Sequence, residues 1–242
     1  MKYFVTFLCL LMTSASFAES KTQNWDYKNP SLWGEVPDFQ TCKLGQEQSP
    51  INIKTSHLKK IMAPLEINYQ SSNAEVINNG HTIQVNLKNG GSFSVQNKSY
   101  GLVQFHFHTP SEEKINNKNY PMVAHLVHKN NEGHLAVIAL LIKEGKENKT
   151  LKEIFEHLPT EKNEKKDIHS ELDAKNLLPG QLNYYGFHGS LTTPPCSEGV
   201  LWHVIKKPIE LSKTQIQSFK SIFKSNARPV QALNGRSIIE SN

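Results

Sequence analysis

The chain has 242 residues, of which 37% are hydrophobic and 20% charged, and its formal net charge is +5. This composition supports a folded core in one large domain or two small ones. The lysines are scattered, and no basic stripe with interleaved aromatic residues is present, so the composition argues against a nucleic-acid partner.

The first eighteen residues have the organisation of a secretory signal peptide. Lys2 supplies positive charge, an apolar run extends from Phe4 to Met12, and Ser16 and Ala18 offer small residues at the −3 and −1 positions of a cleavage site. The run is too short to cross about 30 Å of hydrocarbon, and no later stretch is as apolar as a membrane span requires. We therefore expect residues 1–18 to be removed and the protein to be exported, periplasmic or secreted, with no membrane insertion of the mature chain.

Cleavage at that point leaves two of the three cysteines. Cys9 lies inside the apolar run, whereas Cys42 and Cys196 belong to the mature chain. An even pair in an oxidising compartment favours a disulfide, and the alternative is two free buried thiols.

Strands dominate the middle of the chain. They are predicted at 75–87, around a turn at Asn79-Gly80, and at 101–107, 123–127, 135–142 and 200–204. Two helices are predicted. The first is capped by Thr150 and ended by Pro159, and its apolar face carries Leu151, Ile154, Phe155 and Leu158. The second is capped by Ser212, and its apolar face carries Ile216, Phe219 and Phe223. The charged run 162–167 reads as a solvated loop. Few helices and no alternation of strand and helix predict a single, mainly β domain.

Three histidines indicate a metal site. His106 and His108 are two residues apart in a predicted strand, so their side chains share a face. Turn-forming residues follow, and a neighbouring antiparallel strand could bring His125 opposite the pair. Three neutral imidazoles with one open coordination position are the ligand set of a catalytic zinc. Such a zinc lowers the pKa of its bound water from 15.7 to about 7.

Two other interpretations of these histidines remain open on spacing alone. An isolated buried histidine is more often a satisfied core residue than a ligand. The spacing of His106, His108 and Glu112 also fits the first metal motif of the cupins, although their second motif has no counterpart in this chain.

Six segments, taken together and in order, resemble the α-class carbonic anhydrases, in particular the secreted bacterial kind. They are 25–27, 48–53, 78–81, the two histidine segments within 104–128, 189–202 and 226–231. The resemblance covers nearly the whole mature chain. It implies a single domain over 19–242, mainly β with a few short surface helices and built on a large, mostly antiparallel central sheet. It also implies zinc-dependent, reversible hydration of carbon dioxide to bicarbonate and a proton, by attack of zinc hydroxide.

The resemblance assigns roles to individual residues. The zinc ligands fall on His106, His108 and His125, whereas His128 points to the opposite strand face and is structural. His81 relays a proton between the zinc-bound water and buffer, a task that suits a histidine pKa near 6.5. Thr192 donates its hydroxyl proton to Glu112 and so directs the hydroxide toward the substrate.

The resemblance also implies the surroundings of the site. Thr193 adjoins the substrate. Gln104 accepts a hydrogen bond from the ring of His106, and the carbonyl of Asn226 accepts one from the ring of His108. The apolar wall beside the carbon dioxide would come from Val127, Val137, Leu191, Val200 and Trp202. A Cys42–Cys196 bond would tether the loop that carries Thr192.

The chain departs from the family pattern at three positions. Val123 stands where the family often has a glutamate that holds the third histidine, so His125 is expected to find a water or a backbone carbonyl instead. On that basis zinc binding should be about 10–100-fold weaker than with the glutamate. Glu113 replaces a frequent histidine and Phe187 a frequent tyrosine, and neither is expected to touch a metal ligand.

The rival function on the same fold is a catalytically silent, carbonic anhydrase-related extracellular binding protein. Such relatives lose one or more zinc ligands, whereas His106, His108 and His125 are all present here. The sequence leaves formation of a homodimer open.

Overall fold

The structure, a computed structural model, describes residues 25–56, 58–61 and 63–241. The predicted signal peptide, residues 1–18, lies outside this part of the chain. Within the described ranges, every helix is too short or too polar to span a bilayer.

The strands of these ranges are numbered in chain order. They are β1 (Asn52–Ile53), β2 (Lys59–Ile61), β3 (Glu66–Tyr69), β4 (Ala74–Asn78), β5 (Ile83–Leu87), β6 (Gly91–Val95), β7 (Lys98–His108), β8 (Lys114–Ile115), β9 (Met122–Lys129), β10 (Leu135–Glu144), β11 (Lys165–Asp167), β12 (Tyr184–Ser190), β13 (Glu198–Leu211) and β14 (Ile239–Ser241). The α-helices are α1 (Thr41–Leu44), α2 (Lys152–Glu156) and α3 (Lys213–Ile222), and short 3-10 helices cover Pro30–Glu35, Pro37–Phe39 and Ala174–Leu177.

One large sheet organises the molecule. Its strands follow the order β11-β4-β5-β7-β9-β10-β13-β12-β14-β2, with β6 also paired to β7 and β3 paired to β6. The pairs β10–β13 and β14–β2 are parallel, and the other described pairings of this sheet are antiparallel. The expected mainly β fold with a large, mostly antiparallel sheet and few short helices is confirmed.

The central strands are covered on both faces. Along β10, Ala136, Ile138 and Leu140 belong to one apolar cluster, which also contains residues of α2 and α3. The alternate residues Val137, Ala139 and Leu141 belong to a second cluster on the opposite face. A strand buried on both faces has an almost continuous apolar sequence, which is why 135–142 shows no clean alternation.

The strands predicted near the histidines are all present, with bounds extended by a few residues. Two local predictions were wrong. Thr150 does not cap α2: the N-cap is Leu151, whose N–H donates to Asn148 Oδ1 at 3.2 Å, and the helix ends at Glu156. The run 162–167 is not entirely a loop, because its second half forms β11 and pairs with β4.

Candidate metal centre and active site

The register of two antiparallel strands brings the three histidines together. In the pairing of β7 with β9, His106 lies directly opposite His125. His108 follows two residues later on the same face of β7. One ring nitrogen from each histidine lies within 4.8 Å of the corresponding atoms of the other two. The predicted convergence of these three side chains is therefore present.

The remaining ring nitrogens are all occupied by acceptors. Nδ1 of His106 donates to Oε1 of Gln104 at 2.9 Å, and Nδ1 of His108 donates to the carbonyl oxygen of Asn226 at 2.7 Å. Nε2 of His125 lies 3.1 and 3.2 Å from the two carboxylate oxygens of Glu113. Since these oxygens can only accept, the other ring nitrogen of each histidine keeps its lone pair and faces the cluster. These nitrogens are Nε2 of His106, Nε2 of His108 and Nδ1 of His125.

Burial and charge shift the pKa values of the three histidines in different directions. Burial lowers the pKa of His106 to about 3 and the pKa of His108 well below its usual value. For His125 burial also acts to lower the pKa, but the charge and hydrogen bond of Glu113 outweigh it and the pKa is raised. Nε2 of His108 is buried without a hydrogen-bond partner among the described residues. Three inward lone pairs, one of them otherwise orphaned, fit a zinc ion with an open position.

Glu113 corrects the sequence prediction for the third ligand. His125 was expected to use a water or a backbone carbonyl, and Glu113 was expected to touch no ligand. Instead the Glu113 side chain, fully buried, holds the imidazole of His125. Because Glu113 supplies the acceptor that Val123 lacks, the zinc site is no longer expected to be weakened.

A second buried carboxylate faces the cluster. Oε1 of Glu112 accepts from the backbone N–H of Arg228 at 2.8 Å, and its Oε2 lies 3.5 Å from Nε2 of His108 and 3.8 Å from Nδ1 of His125. Burial raises the pKa of Glu112 to about 7, against the lowering effect of the charge of His125 and a hydrogen bond from Thr192. Thr192 is itself buried and lowers the pKa of Glu112, so the two residues of the predicted pair are neighbours.

His81 is half-buried and held in a defined place. Its ring stacks on Trp25 with centroids 3.7 Å apart, and its carbonyl accepts from Nδ2 of Asn226 at 3.0 Å. It lines a cavity of about 520 Å³ together with Trp25, Asp26, Lys162 and others. Burial, and then the charge of Lys162, lower the pKa of His81, while Asp26 acts in the opposite direction.

The five apolar residues assigned to the substrate wall belong to one cluster on the histidine face of the sheet, namely Val127, Val137, Leu191, Val200 and Trp202. Val137 lies opposite Val127 on one side and Trp202 on the other, so these three form a row across β9, β10 and β13. The Trp202 ring contacts the ring of His125 edge-on, with centroids 4.9 Å apart. Phe187 stacks on the other side of Trp202.

The loop after β12 is tied to the N-terminal segment. Cys42 and Cys196 form the expected disulfide, which packs with Trp33 in a small aromatic cluster. Thr193 lies on the same loop, and its carbonyl accepts from the N–H of Cys196 at 2.8 Å.

Three residues with clear roles near the site were not assigned from the sequence, besides Glu113. Arg228 is buried and donates to Oε1 of Gln48 and to the carbonyls of Ser49 and Cys42. Trp25 stacks on His81, and the Tyr27 ring lies 6.4 Å from that of His108. All three lie in segments quoted for the family resemblance, which was the available signal.

Comparisons with known proteins agree with this geometry. The family model described as eukaryotic-type carbonic anhydrase matches residues 28–242. A carbonic anhydrase of Pectobacterium atrosepticum is 43% identical over 96% of this chain and 98% of its own length. The solved α-carbonic anhydrase of Thermovibrio ammonificans, in complex with the inhibitor sulfanilamide, superposes with a TM-score of 0.87 and 41% identity, over 89% of this chain and 98% of that one. The α-carbonic anhydrase of Photobacterium profundum gives a TM-score of 0.84 and 40% identity, over 89% and 100%.

The mainly β fold, the histidine cluster and these similarities define an enzyme class. The chain belongs to the α-carbonic anhydrase family, whose general reaction is the hydration of carbon dioxide.

Proposed function

We propose that this protein catalyses the reversible hydration of carbon dioxide with a zinc ion held by His106, His108 and His125, and with His81 as the proton shuttle. The observation that carries the proposal is that one ring nitrogen of each histidine lies within 4.8 Å of the other two, while every other ring nitrogen of the cluster has an acceptor. When bound there, zinc supplies a Lewis acid that makes hydroxide available from water near neutral pH.

Glu112 and Thr192 orient the reacting group. The Glu112 carboxylate is fixed by the N–H of Arg228, and Thr192 lies close enough to lower the pKa of Glu112. In the proposed mechanism the Thr192 hydroxyl donates to Glu112, so its oxygen is left as an acceptor toward the cluster. This one-way chain of hydrogen bonds determines which lone pair of the nucleophile faces the substrate.

The apolar wall receives the substrate. Carbon dioxide is small and uncharged, so a surface of Val127, Val137, Leu191, Val200 and Trp202 hosts it without competing hydrogen bonds. Trp202 is buried beside His125, and its Nε1–H donates to the Ser190 carbonyl at 3.1 Å, which keeps its polar atom out of the wall. We assign Thr193 to the border of the same space, as the family resemblance implies.

His81 transfers the proton to solvent. Its ring is half-buried, stacks on Trp25 and lines the cavity that Asp26 and Lys162 also line. Because its pKa lies below the ordinary 6.5, the neutral form that accepts a proton predominates at neutral pH. The transfer passes through intervening waters, as the resemblance implies.

Export is also part of the proposal. The Cys42–Cys196 disulfide supports an oxidising compartment such as the periplasm or the extracellular space. Removal of residues 1–18 before the protein acts is consistent with that location.

The test is stopped-flow hydration of carbon dioxide at several buffer concentrations. We expect His125→Ala to lose activity together with zinc, and His81→Ala to retain zinc but become dependent on buffer and recover with an imidazole-type buffer. Activity that survives loss of zinc would contradict the metal role. Buffer-independent, full activity of His81→Ala would contradict the shuttle.

A further inference from the structure

Glu113 is a buried carboxylate whose side chain contacts the His125 imidazole. Its exposed fraction is 0%, and both oxygens face Nε2 of His125, at 3.1 and 3.2 Å. Within the described part of the chain, the His125 imidazole is the only side chain recorded in a hydrogen bond or ion pair with this carboxylate. An unpartnered buried carboxylate is costly, so this one must keep its contact with His125.

The backbone on both sides of Glu113 is held in place. The Ser111 hydroxyl donates to the Glu113 carbonyl at 2.8 Å. On the other side, the N–H of Lys114 donates to the Ile51 carbonyl at 3.2 Å, where β8 pairs with β1. The carboxylate therefore projects from a supported backbone rather than from a free loop, as a precise orienting group requires.

The contact determines which nitrogen of His125 faces the cluster. A carboxylate accepts hydrogen bonds, so Nε2 carries the proton and points at Glu113. Nδ1 then keeps its lone pair, on the side where His106 and His108 direct theirs. A carboxylate acceptor also makes an imidazole a more basic ligand.

Strand β9 offers no acceptor of its own for this imidazole. Val123 lies two residues before His125, on the same face, and is fully buried among apolar side chains. A glutamate is frequent at this position in the family that the sequence resembles, and a histidine is frequent at position 113. In this chain the strand position is apolar and the carboxylate comes from the segment between β7 and β8.

We propose that Glu113 is the positioning residue for His125, so that this chain supplies from position 113 the carboxylate that Val123 cannot supply. The proposal rests on the zinc site of the proposed function. It assigns to Glu113 no contact with substrate. Its effect is on the tautomer and orientation of a ligand, and hence on how tightly the metal is held.

The first test is the zinc affinity of Glu113→Gln, measured by competition with a chelator on folded protein. The amide is nearly isosteric but lacks the negative charge, so we expect zinc binding to weaken about 10–100-fold. Parental affinity in Glu113→Gln would overturn the proposal.

The second test returns a carboxylate to the strand. In the Glu113→Gln background, Val123→Glu is expected to recover most of the lost affinity, whereas the matched control Val123→Gln adds similar volume and no charge and is expected not to. Equal zinc affinities of the two double variants would show that a carboxylate beside His125 is not what holds the metal.

A third measurement needs no variant. In the zinc-loaded parent protein, long-range 15N–1H correlation spectra are expected to show His125 protonated at Nε2 and metal-bound at Nδ1. The reverse assignment would refute the role of Glu113. A parent protein that binds no zinc would refute the proposed function as well, whereas a zinc-binding parent with an unaffected Glu113→Gln would refute this inference alone.

Discussion

At the scale of single residues, two adjacent carboxylates, Glu112 and Glu113, support different parts of the histidine cluster. Glu112 accepts from the N–H of Arg228 and lies beside Thr192, whereas Glu113 accepts from His125. Because both are fully buried and have different partners, neither can replace the other without leaving a polar group unsatisfied.

The sequence predicted one of these carboxylates and misassigned the other. The position of Glu112 follows from its spacing after His108 within a motif. The contact of Glu113 depends on the path of the chain between β7 and β9, and no local periodicity determines that path. An unexpected acidic residue next to a motif, together with a missing acidic residue at Val123, was the signal available.

The charge of Lys162 is predicted to tune the proton shuttle. Burial and Lys162 lower the pKa of His81, so Lys162→Gln should raise that pKa toward its ordinary value, and Asp26→Asn should lower it further. Proton NMR titration of the His81 ring measures both shifts, with the exposed Lys175→Gln as a charge-matched control. A fall in the His81 pKa in Lys162→Gln would contradict the assignment.

At the scale of secondary structure, the register of β7 against β9 is what makes the site. Because side chains alternate across a strand, a slip of one residue would turn His125 away from His106 and toward the opposite core. His128 lies on the opposite face of β9. It is buried, its Nε2 forms a hydrogen bond of 2.7 Å with the Tyr69 hydroxyl, and it takes no part in the cluster.

Helix ends were predictable where the capping chemistry is local. Ser212 was predicted as the cap of α3, and the structure has a full capping box with Gln215. The start of α2 was misplaced because Asn148, rather than Thr150, supplies the side-chain acceptor for the first turn. The strand β11 was missed because it is a short edge strand of charged residues, with an ordinary loop composition.

The capping box gives a stability prediction. Ser212→Ala should lower the free energy of unfolding by about 1 kcal/mol, because the N–H of Gln215 loses its acceptor. Ser221→Ala, which changes an exposed serine within the same helix, is the matched control and should change stability less. Urea unfolding measures both, and equal losses would argue against the cap.

At the scale of the whole molecule, contacts between distant segments hold the site together. The carbonyl of Asn226 accepts from Nδ1 of His108, and its side-chain amide donates to the His81 and Phe107 carbonyls, so it links the cluster to His81, the proposed proton shuttle. Arg228 joins Glu112 to the N-terminal segment around Cys42. Of these contacts, the family resemblance implied only the one between His108 and the Asn226 carbonyl, and none could be derived from periodicity.

The disulfide is predicted to stabilise the fold by restricting the unfolded chain. Cys42 and Cys196 are separated by 154 positions, for which the chain-entropy estimate is about 5 kcal/mol. Cys42→Ser combined with Cys196→Ser should therefore lower the melting temperature by about 10–20 °C. Differential scanning calorimetry of the double variant and of the reduced parent protein checks this, and an unchanged melting temperature would refute the tether.

The convergence of three imidazoles on one zinc ion is most directly tested by diffraction from zinc-loaded crystals, with data on both sides of the zinc absorption edge. We predict one anomalous peak per chain, bonded to Nε2 of His106, Nε2 of His108 and Nδ1 of His125, with Glu113 on the far side of the His125 ring. A peak bonded to other residues, or no peak at these three histidines, would contradict the account.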